Sequence, residues 1–330
     1  MKRLLGCAVA STLVLVAGVA LAKPPVPISE CGTVITEPGK YRVTQDLFCE
    51  PDQQGIEVLA SDVTVNLKGH TITCDASGEI PVGAVLVGDY FDPDLVVDNV
   101  WVKNGTISGC DDGVIFFYGQ SGKATKITAT GNVERGITVF EAKDTLIKNN
   151  VGFGNWQAIA TFDGIGSEIK GNVLYDNFDV AIALEGETDS LVACNTSERD
   201  FFGVRIGPFS SGNVVRGNHI SNGAWGIGLY GFGATPEQIF LPMASGNLIE
   251  KNIVQVSGVV DLAEGMGNPF TGDLFVLPEC LNAWMKNQYV SAFGPVDCIA
   301  PPVELDYDDV CALDDDDDDS DSDSDSDSED

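Results

Sequence analysis

Between about residues 100 and 260 the chain alternates short apolar runs with Gly, Asn and Asp at a steady beat. A small residue followed by an apolar one recurs at Gly113-Val114, Gly136-Ile137, Ala158-Ile159, Ala181-Ile182, Gly203-Val204 and Gly226-Ile227, at intervals of 23, 22, 23, 22 and 23. Asparagine keeps a second register at Asn150, Asn172, Asn195, Asn218 and Asn252, at intervals of 22, 23, 23 and 34. The long interval marks an insertion at 231–246, directly after Tyr230. Each repeat holds brief Val/Ile strands bounded by turn residues and has no room for a useful helix. A unit this small cannot bury its own apolar face, so successive units must stack as coils about 4.8 Å apart and share one core. The expected fold is all-β, a single-stranded parallel β-solenoid of about ten coils of 22 to 23 residues.

Strand alternation within that register predicts which side chains point inward. Val114/Phe116, Ile137/Val139, Ile159/Thr161, Ile182/Leu184, Val204/Ile206 and Ile227/Leu229 should fill the core. Phe117, Phe140, Phe162, Glu185, Gly207 and Tyr230 should then form an outward column, with Ile115, Thr138, Ala160, Ala183, Arg205 and Gly228 beside it. This gives an aromatic stripe, a carboxylate one coil from a guanidinium, and small residues as floor. The repeated Asn suits an internal ladder of amides at strand spacing, and the preceding small column suits a sharp corner. Asn104-Gly105-Thr106 and Asn195-Thr196-Ser197 match the glycosylation sequon but fall in ladder positions. Trp156, Phe178, Phe201 and Trp225 form a further column in the turns, where corner packing is expected. Lys148, Lys170 and Arg216 are expected on a solvated face.

Composition refines this picture at the ends. Residues 1–22 read as a secretory signal, with Lys2 and Arg3, an apolar run, and Ala20-Leu21-Ala22 before Lys23. The solenoid domain is expected over 23–313. From Asp314 to Asp330 only Asp, Ser and one Glu occur, an acidic tail expected to be disordered. A net charge of −32 excludes a nucleic-acid partner. No later segment is apolar enough to span a membrane, and a monomer is expected. Removing the signal leaves eight cysteines, an even number that in an exported chain favours disulfides; Cys31/Cys49 and Cys280/Cys298 are spaced to tie the two ends. No metal site is expected, since C-x-x-C is absent and only His70 and His219 could assist.

The coils resemble right-handed parallel β-helix repeats of the pectin-lyase-like class, which includes NosD-like periplasmic proteins and many polysaccharide-processing enzymes. Gly32-Thr33-Val34-Ile35-Thr36-Glu37-Pro38-Gly39-Lys40-Tyr41, then Val63-Thr64-Val65-Asn66-Leu67-Lys68-Gly69-His70-Thr71-Ile72, is similar to their first coils. Cys280-Leu281-Asn282-Ala283-Trp284 is similar to their last coil. The likeness implies a right-handed helix and an extracytoplasmic, secreted or periplasmic protein. It says little about chemistry.

Three functions follow as expectations. The first is a polysaccharide or cell-surface glycan bound by Phe117, Phe140, Phe162, Glu185, Arg205 and Tyr230. The second is a lyase or epimerase acting on acidic glycans, with calcium on Asp163, Glu185 and Glu187 and Arg205 as base. The third is a structural surface protein without catalysis. Asp111-Asp112 resembles the paired aspartates of polygalacturonases, but that family's other motifs are missing. Copper delivery, which the NosD likeness suggests, would favour clustered Met, His and free Cys, whereas this chain has four Met and two His.

Overall fold

The computed structural model describes residues 23–306 and Cys311, apart from 79–81, 236–237, 242, 257, 268–273, 276–279 and 295–297. The expected signal and the acidic tail therefore lie outside the described residues. The elements are strands, and ten of them stack in parallel as a first face. These are Thr33–Ile35, Ile56–Val58, Gly83–Val87, Asp112–Phe117, Arg135–Phe140, Gln157–Phe162, Val180–Glu185, Phe202–Ile206, Trp225–Thr235 and Val260–Gly267. Shorter strands, such as Leu191–Ala193 and Thr196–Glu198, build a second and a third face. In two coils, Trp101–Ser108 and Lys123–Thr130 run through both, which joins these two faces into one hydrogen-bonded network. The chain is an all-β, right-handed parallel β-helix.

Coil length sets the register. Ile137, Ile159, Ile182 and Val204 pair in succession, so a 22- or 23-residue step places each side chain over its equivalent. The inward residues named above are all buried, from Val114 at 0% exposed to Phe116 at 3%. The small column serves a different purpose from the expected corner. Gly136 lies within its strand, and a Cβ there would come within 2.6 Å of the Ala158 carbonyl oxygen and 3.0 Å of the Ala129 Cβ. Smallness lets opposite walls of the solenoid approach.

All three corners carry polar ladders. Between the second and third faces, Nδ2 of Asn150 donates to Oδ1 of Asn172, and the pattern continues through Asn195, Asn218, Asn252 and Asn287. The backbone N–H of each donates to the same acceptor. The second hydrogen of each amide goes to a carbonyl of the preceding coil, as from Asn172 to Ile147. Asn195 is buried in this ladder, which removes it as a glycan acceptor. Asn132, Asn155, Asn177 and Asp200 form a second ladder. Ser167, Ser190, Asn213, Asn247 and Asn282 form a third. Buried amides that exchange two donors and an acceptor with their neighbours avoid the cost of unsatisfied groups while fixing the stacking register.

Four disulfides tie the structure. Cys31–Cys49 and Cys280–Cys298 staple the two ends, and Cys74–Cys110 joins neighbouring coils. Cys194–Cys311 fastens the chain's C-terminal segment back onto the middle of the solenoid. The insertion continues the strand Trp225–Thr235 beyond Tyr230 and returns antiparallel as Gln238–Leu241.

Two substitutions test the ladders. Asn172→Ala strands the Asn150 amide donors and the Ile147 carbonyl, and should lower unfolding free energy by about 3 kcal/mol in denaturant titration. Asp200 ends its ladder as a carboxylate, and burial pushes its pKa up to about 6 against the donors Ser197 and Asn177. A raised acid gives stability that is complete below about pH 4 and lost as pH climbs through about 6. Asp200→Asn should therefore raise thermal stability at about pH 7.5 by up to about 3 kcal/mol and leave it unchanged near pH 4.

Candidate functional site

The first face carries three outward columns. The middle one, through Ile115, and the one at the strand ends, through Phe117, were legible in the sequence, and a third, at the strand starts, runs Asp112, Arg135, Gln157, Val180, Phe202 and Trp225. These columns divide into two parts with different chemistry, meeting where Phe162 pairs with Glu185.

Toward the N-terminal coils lies an open cleft of about 590 Å³. Its floor holds Phe117, Phe140 and Phe162 from successive coils, whose tilted rings have centroids 6.2 and 6.3 Å apart. Its roof is a loop that leaves the strand Gly83–Val87. Gly88, at φ +87°, turns the chain out over Phe117, and a Cβ there would meet the Phe117 carbonyl oxygen at 2.7 Å. Tyr90 then packs 5.8 Å from Phe117 and 5.6 Å from Phe140, while Phe91 stands 89% exposed at the mouth. The roof covers one end of the aromatic stripe and leaves the cavity open; none of the described residues that line it comes from the insertion after Tyr230.

Asp112, Arg135 and Thr138 form the polar wall of this cleft. Thr138 Oγ1 donates to Asp112 Oδ1 at 2.9 Å, and Arg135 Nη1 lies 3.5 Å from the same oxygen. The Arg135 guanidinium also sits 4.9 Å from the Phe162 ring centroid. Burial pushes the Asp112 carboxyl pKa up, and Arg135 and Thr138 partly offset this. The Asp111-Asp112 pair is split in role, because Asp111 Oδ2 accepts from the Val82 backbone N–H.

Further along the face, Glu185, Arg205 and Tyr230 come together with Asp179 in a cluster that satisfies itself. Arg205 Nη1 donates to both Asp179 oxygens at 2.9 and 2.7 Å, and its Nε to Glu185 Oε1 at 3.1 Å. Tyr230 Oη donates to that same Glu185 oxygen at 2.9 Å, and Gln157 Nε2 to Asp179 at 2.8 Å. Burial pushes the pKa of Glu185 up against the pull of Arg205, and that of Tyr230 up as well. The expected floor of small residues is closed, because Phe162 and Phe202 pack over Ala160, Val180 and Ala183.

The proposed calcium set does not converge. Glu187 is 0% exposed and turned into a corner, accepting from Ser190 Oγ at 2.6 Å and the Gly164 backbone N–H at 3.1 Å. Among the described residues, no group of three His, Cys, Asp or Glu is placed to hold a metal ion. The turn aromatics also differ from expectation, since Trp156, Phe178 and Phe201 stand 53, 69 and 48% exposed on a corner instead of packing it. Trp225 lies within a strand, stacked on Phe202 at 5.5 Å.

Comparison with known proteins places this geometry. The model of the family described as periplasmic copper-binding protein (NosD) matches residues 94–271. No curated protein matches in sequence. Among solved structures, DFA-IIIase from Arthrobacter chlorophenolicus A6 without its lid superimposes with a TM-score of 0.54 at 15% identity, over 80% of this chain and 74% of that one. The periplasmic alginate epimerase AlgG gives 0.51 at 12%, over 84% and 73%. These likenesses are of fold. With the family model matching more than half of its length and its coils closing a right-handed β-helix, the chain belongs to the NosD family.

Proposed function

We propose that the chain is an extracytoplasmic saccharide-binding protein whose ligand occupies the cleft of the first face. The observation that carries this reading is the convergence of three ranked aromatic rings and a bonded carboxylate, guanidinium and hydroxyl in one cavity of about 590 Å³. That volume falls in the range of small-ligand sites. Ring faces cover the C–H faces of a pyranose, and Asp112, Arg135 and Thr138 offer acceptors and donors to its hydroxyls. Among the described lining residues, Glu57, Asp89 and Asp112 stand against one base, Arg135, which favours a neutral or amine-bearing sugar over a uronate. Glu185, Arg205 and Tyr230 buttress the neighbouring face in this reading. Four disulfides support an oxidising compartment, and no helix among the described residues is long and apolar enough to cross a membrane.

A second reading, a lyase, epimerase or other glycan-modifying enzyme, is favoured by Asp112, because a carboxyl with a raised pKa inside a cleft is suited to give a proton. The family's description names copper, and the residues here do not fit a copper centre. All eight cysteines of the solenoid and its C-terminal segment are held in disulfides. His70 bonds Asp46 at 3.3 Å, and six coil steps, about 30 Å at strand spacing, separate it from His219.

Calorimetric titration with neutral and acidic oligosaccharides tests the site. Phe140→Ala and Arg135→Ala should each weaken binding of the best ligand about tenfold or more with unchanged circular dichroism, a loss of about 1.4 kcal/mol. Unchanged affinity in a Phe140→Ala, Phe162→Ala double variant would rule the cleft out. Release of an unsaturated product, seen by ultraviolet absorbance and abolished by Asp112→Asn, would favour the enzyme. For the buttress, Arg205→Leu should cost about 3 kcal/mol of stability near neutral pH by leaving Glu185 and Asp179 without their cation. The deficit should shrink in acid as Glu185, whose pKa is already raised, takes up a proton.

A further inference from the structure

The corner between the second and third faces is basic on a chain that is otherwise strongly acidic. Thr125, Lys148, Lys170, Ala193 and Arg216 stack in one outward column. The column next to it places Lys126, Lys251 and Lys286 at the corner itself, each with positive φ. Thr125 and Ala193 are uncharged members of the first column and Glu250, paired next to Arg216, is an acidic one, while Glu168 approaches Lys170 from the other side at 2.8 Å. Lys148, Lys170, Arg216 and Lys251 are half-buried, while Lys126 and Lys286 are exposed.

The Cys194–Cys311 disulfide lies at the middle of this corner. Cys194 follows Ala193 in the chain, so it sits between the coils of Lys170 and Arg216, and Cys311 Sγ lies 3.3 Å from the Gly217 carbonyl oxygen. The disulfide therefore brings the last described residue of the chain onto the basic corner. Beyond Cys311 come nineteen residues, 312 to 330, of which twelve are Asp or Glu and none is Lys or Arg. Fully extended, such a segment reaches about 60 Å. Lys126 and Lys286 each lie three coil steps from Cys194, about 15 Å away at strand spacing. Both are well within that length.

We propose that residues 314–330 are the ligand of this corner, a tethered polyanion held against Lys126, Lys148, Lys170, Arg216, Lys251 and Lys286. The tether makes the encounter intramolecular, so weak individual ion pairs act at a high effective concentration. Repulsion from the acidic body elsewhere on the surface drives the segment to the same place. The corner is thereby kept from external polyanions, and the protein presents an acidic surface on every side.

Zero-length carbodiimide cross-linking of the full chain, followed by peptide mass spectrometry, tests this assignment. Cross-links from tail carboxylates should concentrate on Lys126, Lys148, Lys251 and Lys286. They should exceed those to Lys40 and Lys143, which lie away from the corner, at least about fivefold, and fall severalfold in about 0.5 M salt. A chain with Asn and Gln in place of the Asp and Glu of 314–330 leaves the solenoid untouched. It should gain salt-sensitive binding of polyaspartate that the parent lacks, and Lys148→Glu with Lys251→Glu should abolish the gain. Cross-links spread evenly over all lysines, or equal polyaspartate binding by parent and neutral-tail chains, would overturn the proposal. Either result is independent of saccharide binding in the cleft.

Discussion

The structure depends on side-chain amides that bond along the solenoid axis. From Asn172 to Asn252, each Asn of the ladder between the second and third faces accepts from the backbone and side chain of the preceding coil's Asn and donates to the next, and Asn150 at its start accepts from the Ile127 backbone N–H. An extra residue within a strand would leave these buried donors and acceptors unpaired and turn the rest of that apolar strand outward, whereas coils of 22 and 23 residues both keep the ladder because the difference falls in a turn. Coil length, core filling and surface columns are thus consequences of one registration. The arrangement tolerates insertions only in the turns, as the hairpin after Tyr230 shows, because a longer connection there leaves Asn218 and Asn252 still stacked.

Function follows from that registration in an indirect way. A stacked solenoid makes columns of identical position, and chemistry arises where neighbouring coils carry different residues in one column. On the first face, three phenylalanines in succession give an apolar floor of mutually tilted rings, and the next coil substitutes Glu185. Asp112 and Arg135, one coil apart, give a charge pair instead of a stripe of one sign. The surface is therefore rigid and pre-arranged, which suits recognition of an extended or ring-shaped ligand at little ordering cost. The family description names copper, yet the cysteine sulfurs such a role would use are oxidised in pairs, and the relation to the family lies in the coil.

Much of the fold was legible as intervals because periodicity survives in a single sequence. The five-Asn series and the small-apolar series define coil length, inward residues and the outward column. The second ladder had the same signal, Asn132, Asn155, Asn177 and Asp200 at 23, 22 and 23, but the substitution of Asp for Asn obscured it. The candidate site was legible only in part. The aromatic floor follows from register, whereas its roof comes from the aperiodic loop through Tyr90 and Phe91, whose path no repeat fixes. Glu185 and Arg205 were placed correctly in their columns, but the sequence could not show that Asp179 and Gln157, from the turn and the third column, would consume their bonding capacity. The exposure of Trp156, Phe178 and Phe201 likewise depends on what the corner leaves uncovered, which alternation does not encode.

Residue-resolved amide hydrogen exchange tests the registration most directly. The backbone N–H groups of Asn150, Asn172, Asn195 and Asn218 each donate to a buried side-chain oxygen of the next coil. The account requires that these four exchange only through global unfolding, with protection equal to that of the core-strand amides of Ile159 and Ile182. Exchange of the four on the timescale of exposed turn amides, while the core strands stay protected, would contradict it.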